Sequence, residues 1–538
     1  MRLVIAASLL AAVGANTVGD AWINTLADGL SARPRELKAQ ILDKARKLSE
    51  NFQKENPEGG QASENPEFRF LPQYRGSAIA GGDATTWTGR CFSSQSAVSS
   101  APNADGSVKI TFTSSGLKEE GCVEDYDLMT VTGAKKIAID QEGVFEVDWA
   151  LPEDAREAEK WDLTDKGVRV FAYVDNVRTT MANLVETLKI FVPEETKIVD
   201  PVSARNNVDF MARYPQFKME QRDPLSSVPP LEHQVHSGDF FGVIRLDGLD
   251  PVLAWGMGST TGHTTTALWM DNEEGKRTLY ITESTVTDSY WPTNGIQKTE
   301  YNTWLKQAEE ASYNVVWAPL NKQYRAKFNE EAAVEFFKST EGLDYGYRNM
   351  LWGWVDTLND NYPCVPDDYS TVCSGWEYFE SVFGILDRNA PELVNMFVNQ
   401  AMNFRLGTSD LRFPEILQEG AKQGYEARAI PTIPEQDTWM YETFRYNETN
   451  VVEGRSMVCC VYVCSSWKAA GLFGDNDVNC GEFTNADDYS MHFFEDEYKQ
   501  IIGRWTLELN RYNTREPYDH MSEKCASLAP NYEQDADC

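Results

Sequence analysis

Between Thr85 and Pro193 the chain alternates apolar and polar residues with a period of two. Lys109-Ile110-Thr111-Phe112-Thr113 and Val144-Phe145-Glu146-Val147-Asp148-Trp149 are clear cases, and Lys136-Ile137-Ala138-Ile139 and the runs at 168–174 and 188–192 continue the series. Successive side chains of a strand point to opposite faces, so this period gives each run one apolar face. Several short runs of this kind predict an antiparallel β domain, a sandwich or a barrel, over about 81–200. The segment has no histidine, so an accessory role is expected of it, with Cys91 and Cys122 joined as a disulfide that closes it.

The 538 residues carry 83 acidic and 49 basic side chains. Phosphate recognition needs basic patches, so neither nucleic acid nor an anionic membrane surface is an expected partner. Residues 1–15 read as a secretory signal, with Arg2, the apolar run Leu3 to Val13, and Val13-Gly14-Ala15 as the cleavage site. The expectation is a secreted or endolysosomal protein without a membrane span, since no run reaches the ~18 apolar residues that a span needs. Residues 16–80 are read as an amphipathic helix, with Leu37, Ile41, Leu42, Ala45 and Leu48 at helical spacing, followed by a polar linker.

The polar, Pro-rich stretch from Pro215 to Pro230 is the expected boundary to a second domain over 225–510. Helical periodicity from Phe379 to Met402 and from Leu411 to Gln423 predicts a helical insertion over about 349–450, lying over or beside the cleft of that domain. Residues 511–538 are read as a C-terminal tail. Asn447-Glu448-Thr449 is a sequon, which makes Asn447 a candidate glycosylation site. Cys364 and Cys373, close together in a Pro/Asp-rich loop, are further disulfide candidates.

In the second half, Val461-Tyr462-Val463 favours a strand, while Lys468-Ala469-Ala470-Gly471 favours a helix and its termination. Cys464 is then expected at a strand-to-helix junction, where free N–H groups and the helix dipole favour a thiolate. The plain alternative is a disulfide cysteine. His263 opens the run to Trp269, and after the polar turn 271–276 comes Thr278-Leu279-Tyr280-Ile281-Thr282-Glu283-Ser284. A hairpin of this form brings His263 close to Glu283, with Asp288 a rival carboxyl group. A carboxyl beside an imidazole fixes its tautomer and stabilises the imidazolium formed when it takes a thiol proton. His233 and His236 lack a carboxylate at ligand spacing and no CxxC pair occurs, so neither metal nor cofactor is expected. The segment 475–481 reads as a polar turn, because its glycine falls one position late for a calcium loop.

The order Gly238-Asp239, Gly262-His263, Glu283, Tyr345-Gly346-Tyr347 and Cys464-Ser465 ahead of a helix resembles the circularly permuted papain-fold proteins, the NlpC-type, YiiX-like amidases. The likeness covers roughly Ser237 to Gly471, and the adjacent Cys459 and Cys460 and the long insertion depart from it. It implies an α+β fold, an antiparallel sheet with helices, in which Cys464 is the nucleophile, His263 the base and Glu283 its orienter. It also implies that Tyr345, Tyr347 and Ser465 line the substrate cleft and that the Cys464 N–H stabilises the oxyanion. The implied activity is a cysteine hydrolase acting through a thioester on a peptide, a cell-wall-like peptide or an N-acyl amide, with acyl transfer sharing the mechanism. The rival class is an inactive secreted protein that binds glycan or lipid through the tryptophans of the second half, among them Trp255, Trp269, Trp291, Trp352, Trp354 and Trp376. A disulfide at Cys464 favours that rival, as does a His263 buried away from it.

Overall fold

The computed structural model describes residues 72–175, 179–180, 182–183, 198–213, 217–226, 228–247, 250–256, 259–285, 294–346, 376–433, 435–436, 438–444, 451–454, 457–476, 478–496 and 499–507. The expected signal, the amphipathic helix, the run at 188–192, Asp288, Tyr347, Cys364, Cys373, Asn447 and the tail lie outside them.

The first strands are β1 (Gln73–Ala78), β2 (Thr85–Thr88), β3 (Gln95–Pro102), β4 (Val108–Ser114), β5 (Glu124–Thr130), β6 (Gly133–Ile139), β7 (Gly143–Trp149) and β8 (Val168–Ala172), with helix α1 (Glu157–Trp161) before the last. Next come α2 (Pro201–Arg213), β9 (Phe240–Ile244), α3 (Asp250–Gly256), β10 (His263–Asp271), β11 (Arg277–Thr285), β12 (Gly295–Glu300), α4 (Tyr301–Glu310), β13 (Asn314–Ala318), α5 (Lys322–Lys327) and α6 (Glu330–Thr340). The last third holds α7 (Trp376–Asn389), α8 (Gln400–Leu406), α9 (Phe413–Lys422), the ribbon β14 (Tyr441–Phe444) and β15 (Val451–Gly454), then α10 (Cys459–Ala469), α11 (Asn485–Ser490) and β16 (Lys499–Ile502). These divide into two compact units, one of 72–183 with 376–430 and the other of 198–346 with 431–507.

In the first unit the alternating runs form two antiparallel four-stranded sheets, ordered β1-β8-β5-β6 and β2-β3-β4-β7. Ile110 and Phe112 of one sheet and Tyr126, Leu128, Val168 and Val170 of the other share one buried core, so the unit is a sandwich. The Cys91–Cys122 disulfide closes it, as the sequence predicts. Strand β1 lies inside the stretch read as linker, where Tyr-Arg-Gly-Ser-Ala offers no apolar alternation to mark it.

The helices read as an insertion over the cleft belong instead to this β unit. Every residue of β8 is buried, because helix α7 covers the outer face of its sheet. Phe171 meets Tyr378 edge-on at 5.4 Å, and a Cβ at Gly384 would fall 2.3 Å from that of Val131. Arg169, 1 % exposed, forks onto Asp162 at 2.7 and 3.0 Å and reaches Glu380 at 2.8 Å. Arg156 bridges Glu159 and Asp387, and Arg388 returns to Glu159 at 2.7 Å. A helix that sets its buried acids Glu380 and Asp387 against Arg169 and Arg156 in this way joins the sandwich as part of its core. Removing one partner strands the others without water. Arg169→Ala should therefore lower the unfolding free energy by about 3–5 kcal/mol in a urea titration; a loss under ~1 kcal/mol would show that the cluster is not what holds α7.

The second unit is built on one antiparallel six-stranded sheet, ordered β12-β11-β10-β9-β13-β16. Its central strand β9 is a continuous apolar run, Phe-Phe-Gly-Val-Ile, buried on both faces. Phe241 and Val243 face α4, where Trp304, Tyr301 and Ala308 complete a core with Ala267 and Ile281. Phe240 faces the other way, onto Trp467 of α10 and Tyr489 of α11. The Pro215–Pro230 stretch is not the boundary: Gln221 bridges to Trp505 and α2 precedes it inside the same unit. None of the described helices is long and apolar enough to cross a membrane.

Candidate active site

Strand β10 begins at His263, and its pairing with β11 sets Thr266 against Thr282. Continued towards the strand end, that register puts His263 diagonally across from Glu283 on the same face, within reach of a long side chain. The contact is made: His263 Nε2 lies 2.7 Å from Glu283 Oε2. Glu283 is fully buried, and Trp304 Nε1 donates to its other oxygen at 3.1 Å. The indole of α4 thus orients the carboxyl, and the carboxyl orients the imidazole.

Cys464 does not complete this line. Its sulfur is bonded to Cys480, so it is no nucleophile. The reading of Val461-Tyr462-Val463 as a strand also fails, since these residues are the first turns of α10, a helix buried nearly all round. β-Branched residues suit a buried helix when packing repays them, and tertiary contact overrides propensity here. Cys464 is the sixth residue of that helix, so its N–H serves the internal ladder and not an oxyanion. Ser465 is buried in the same helix.

The cysteine that reaches His263 is Cys459, the first residue of α10. Several contacts fix this helix start. Tyr345 bridges to Met457, Gly346 N–H donates to the Met457 carbonyl at 3.0 Å, and Ser284 Oγ donates to the same carbonyl at 2.7 Å. A Cβ on Gly346 would fall 2.5 Å from the Met457 carbonyl carbon, so only glycine permits this approach. Tyr345 itself is buried, and its segment positions the nucleophile's helix. At the far end, Trp467 Nε1 donates to the Gly238 carbonyl at 3.1 Å.

With Nε2 held by Glu283, Nδ1 is the ring nitrogen left for the Cys459 thiol. Cys459 is also reached by the Thr264 N–H, and its Sγ lies 3.6 Å from Asn485 Oδ1. A hydrogen bond from the Cys460 thiol, then the hydrogen bond and charge of His263, hold the Cys459 thiol well below its ordinary value against the opposing effect of burial. Burial alone works against a charged imidazole, but Cys459 and Glu283 outweigh it and push His263 up to about 10. The Cys460 thiol is raised by burial and keeps its proton. These opposite shifts favour a thiolate–imidazolium pair at a helix N-terminus, an arrangement whose sulfur can act as a nucleophile.

The raised His263 contributes stability fully below its ordinary 6.5, and this is lost as pH rises through about 10. The depressed Cys459 contributes above its ordinary 9.0, and this is lost as pH falls through its folded value. One ion pair carries both effects, and its alkaline limit is the loss of the His263 proton near pH 10.

The residues that sequence reasoning missed are Cys459, Trp304 and Asn485. A signal for the first was present: Cys460, Val463, Cys464 and Trp467 recur at helical spacing, which starts the helix at 459. No group of three or more His, Cys, Asp or Glu able to hold a metal ion occurs among the described residues. No protein-family model, curated protein or solved structure matches this chain. Peptide mapping without reduction should recover Cys464 linked to Cys480, and Cys459 and Cys460 alkylated. Cys459 lies on the same peptide as Cys464, so fragmentation locates the bond, and a disulfide on the Cys459 sulfur itself would contradict the site.

Proposed function

We propose that this chain is an exported cysteine hydrolase of amide bonds, with Cys459 as nucleophile, His263 as base and then acid, and Glu283 as its orienter. The observation that carries this reading is the hydrogen-bonded line Cys459–His263–Glu283–Trp304, which spans two strands and two helices. The order histidine strand, carboxyl strand, cysteine helix supports kinship with the permuted papain-fold amidases, with the nucleophile five positions earlier than the motif reading has it.

Cys459 Sγ attacks the amide carbonyl and a C–S bond forms. The oxyanion is met by first-turn N–H groups of α10, which the Val458 side chain does not cap. His263 gives its proton to the leaving amine as the C–N bond breaks. It then takes a proton from water as that water attacks the thioester; the C–S bond breaks, the acid leaves, and the Cys459 thiolate beside protonated His263 is restored. An alcohol or amine in place of that water makes the same thioester an acyl donor. Peptides, cell-wall-like peptides and N-acyl amides all present the required carbonyl. Two disulfides among the described residues favour an oxidising compartment.

The Cys464–Cys480 bond is what a binding-only protein would have, but a second cysteine hydrogen-bonded to His263 is what such a protein has no use for. Assayed on a panel of peptides and N-acyl amides, Cys459→Ala should lower kcat/KM by about 10³-fold or more, and Glu283→Gln by less than His263→Ala. Turnover should hold from neutrality upward and fall as His263 loses its proton near pH 10. Activity that survives Cys459→Ala, or an acyl group trapped on any other residue, would refute the proposal.

A further inference from the structure

Asn485 is the first residue of α11 and is fully buried. Its Nδ2 donates to the Thr261 carbonyl at 3.2 Å, which fixes the amide's orientation and leaves Oδ1 facing the Cys459 sulfur at 3.6 Å. Three residues on, Asp488 accepts from Thr264 Oγ1 at 3.0 Å, and Thr264 is the residue whose N–H reaches that same sulfur. Burial pushes the Asp488 carboxyl well above its ordinary value. The helix is secured at its start by Thr484, whose hydroxyl and N–H both engage Asp487. The Cys464–Cys480 disulfide ties the segment just ahead of it to α10. All of these contacts keep one amide oxygen against one sulfur.

Taking Cys459 as the nucleophile, as proposed above, we propose that Asn485 is a positioning residue for it: Oδ1 accepts the hydrogen bond of the neutral thiol and holds Sγ in the rotamer that faces His263. When the thiol proton passes to His263 Nδ1, the Sγ–H···Oδ1 bond is given up and Sγ accepts from the Thr264 N–H and the Cys460 thiol. An amide oxygen accepts from S–H and repels a thiolate, so Asn485 favours the protonated form of Cys459, the form taken in acid, against the pull of the imidazole. Its effect on ionisation is opposite in sign to that of His263.

The test is the rate of Cys459 alkylation by iodoacetamide against pH, resolved by residue with mass spectrometry, in the full chain and in Asn485→Ala and Asn485→Asp. Without the opposing oxygen, Asn485→Ala should move the midpoint down. With a carboxylate in its place, Asn485→Asp should move it up by about one unit or more. Opposite shifts are what a merely structural residue would not give; midpoints that stay in place, or move the same way in both, overturn the inference. If either variant fails to fold, the wild-type protein in acid decides by its infrared S–H stretch, isolated by subtracting the Cys459→Ala spectrum. A band displaced to lower wavenumber supports the hydrogen bond to Oδ1, and a band at the free-thiol position overturns it. Fast, His263-dependent labelling with unmoved midpoints fails Asn485 alone. Labelling of wild-type Cys459 no faster than in denatured protein fails the nucleophile assignment and takes this inference with it.

Discussion

A histidine that is almost out of water keeps a proton only if both ring nitrogens are answered by groups that gain from its charge. At His263 the answering groups are the Glu283 carboxyl, 2.7 Å from Nε2, and the Cys459 thiol. Desolvation is the largest single effect on this imidazole and opposes the charge. The pair therefore exists only while three elements stay in register. A one-residue slip between β10 and β11 would turn Glu283 to the opposite face of the sheet, away from Trp304. Moving the start of α10 by one residue would rotate Cys459 about the helix by roughly 100°. The tight approach of Gly346 to Met457 and the hydroxyl of Ser284 on the same carbonyl make that second slip costly.

Buried charge is handled differently at the arginine cluster of the sandwich and at His263. In the sandwich, Arg169, Asp162 and Glu380 saturate one another, so their chemistry is spent on cohesion. At His263 the buried charges are left with one unfinished partner, a sulfur at the first residue of a helix. Such a group has reactivity to offer, which the saturated arginine cluster does not. The same distinction separates the cysteines. Cys91, Cys122, Cys464 and Cys480 are bonded in pairs, whereas Cys459 and Cys460 remain thiols.

Much of this was legible from local pattern. Alternation at Ile110 and Phe112 gave the sandwich strands, and the polar turn after Asp271 gave the hairpin that joins His263 to Glu283. Helical spacing from Phe379 to Met402 gave α7 and α8. What was not legible depended on long-range packing. The all-apolar stretch from Val461 to Val463 satisfies strand propensity as well as a buried helix, so local pattern starts the helix late and points to Cys464 as the nucleophile. Cysteine parity points against that assignment: ten less a lone nucleophile leaves nine, while ten less Cys459 and Cys460 leaves an even eight. No local pattern says that α7 belongs to a sandwich more than two hundred residues upstream. That follows from Arg169 and Glu380, each of which reads alone as an ordinary surface charge.

The central claim is that Cys459 and His263 share a proton as an ion pair, and the ionisation of His263 reports it most directly. Its imidazole resonances can be followed through a pH titration by NMR, in a chain with only five histidines. The account predicts that His263 stays protonated through neutrality and titrates near pH 10, and that its midpoint drops sharply in Cys459→Ala. A wild-type midpoint near 6.5 that the loss of the thiol leaves unchanged would contradict it.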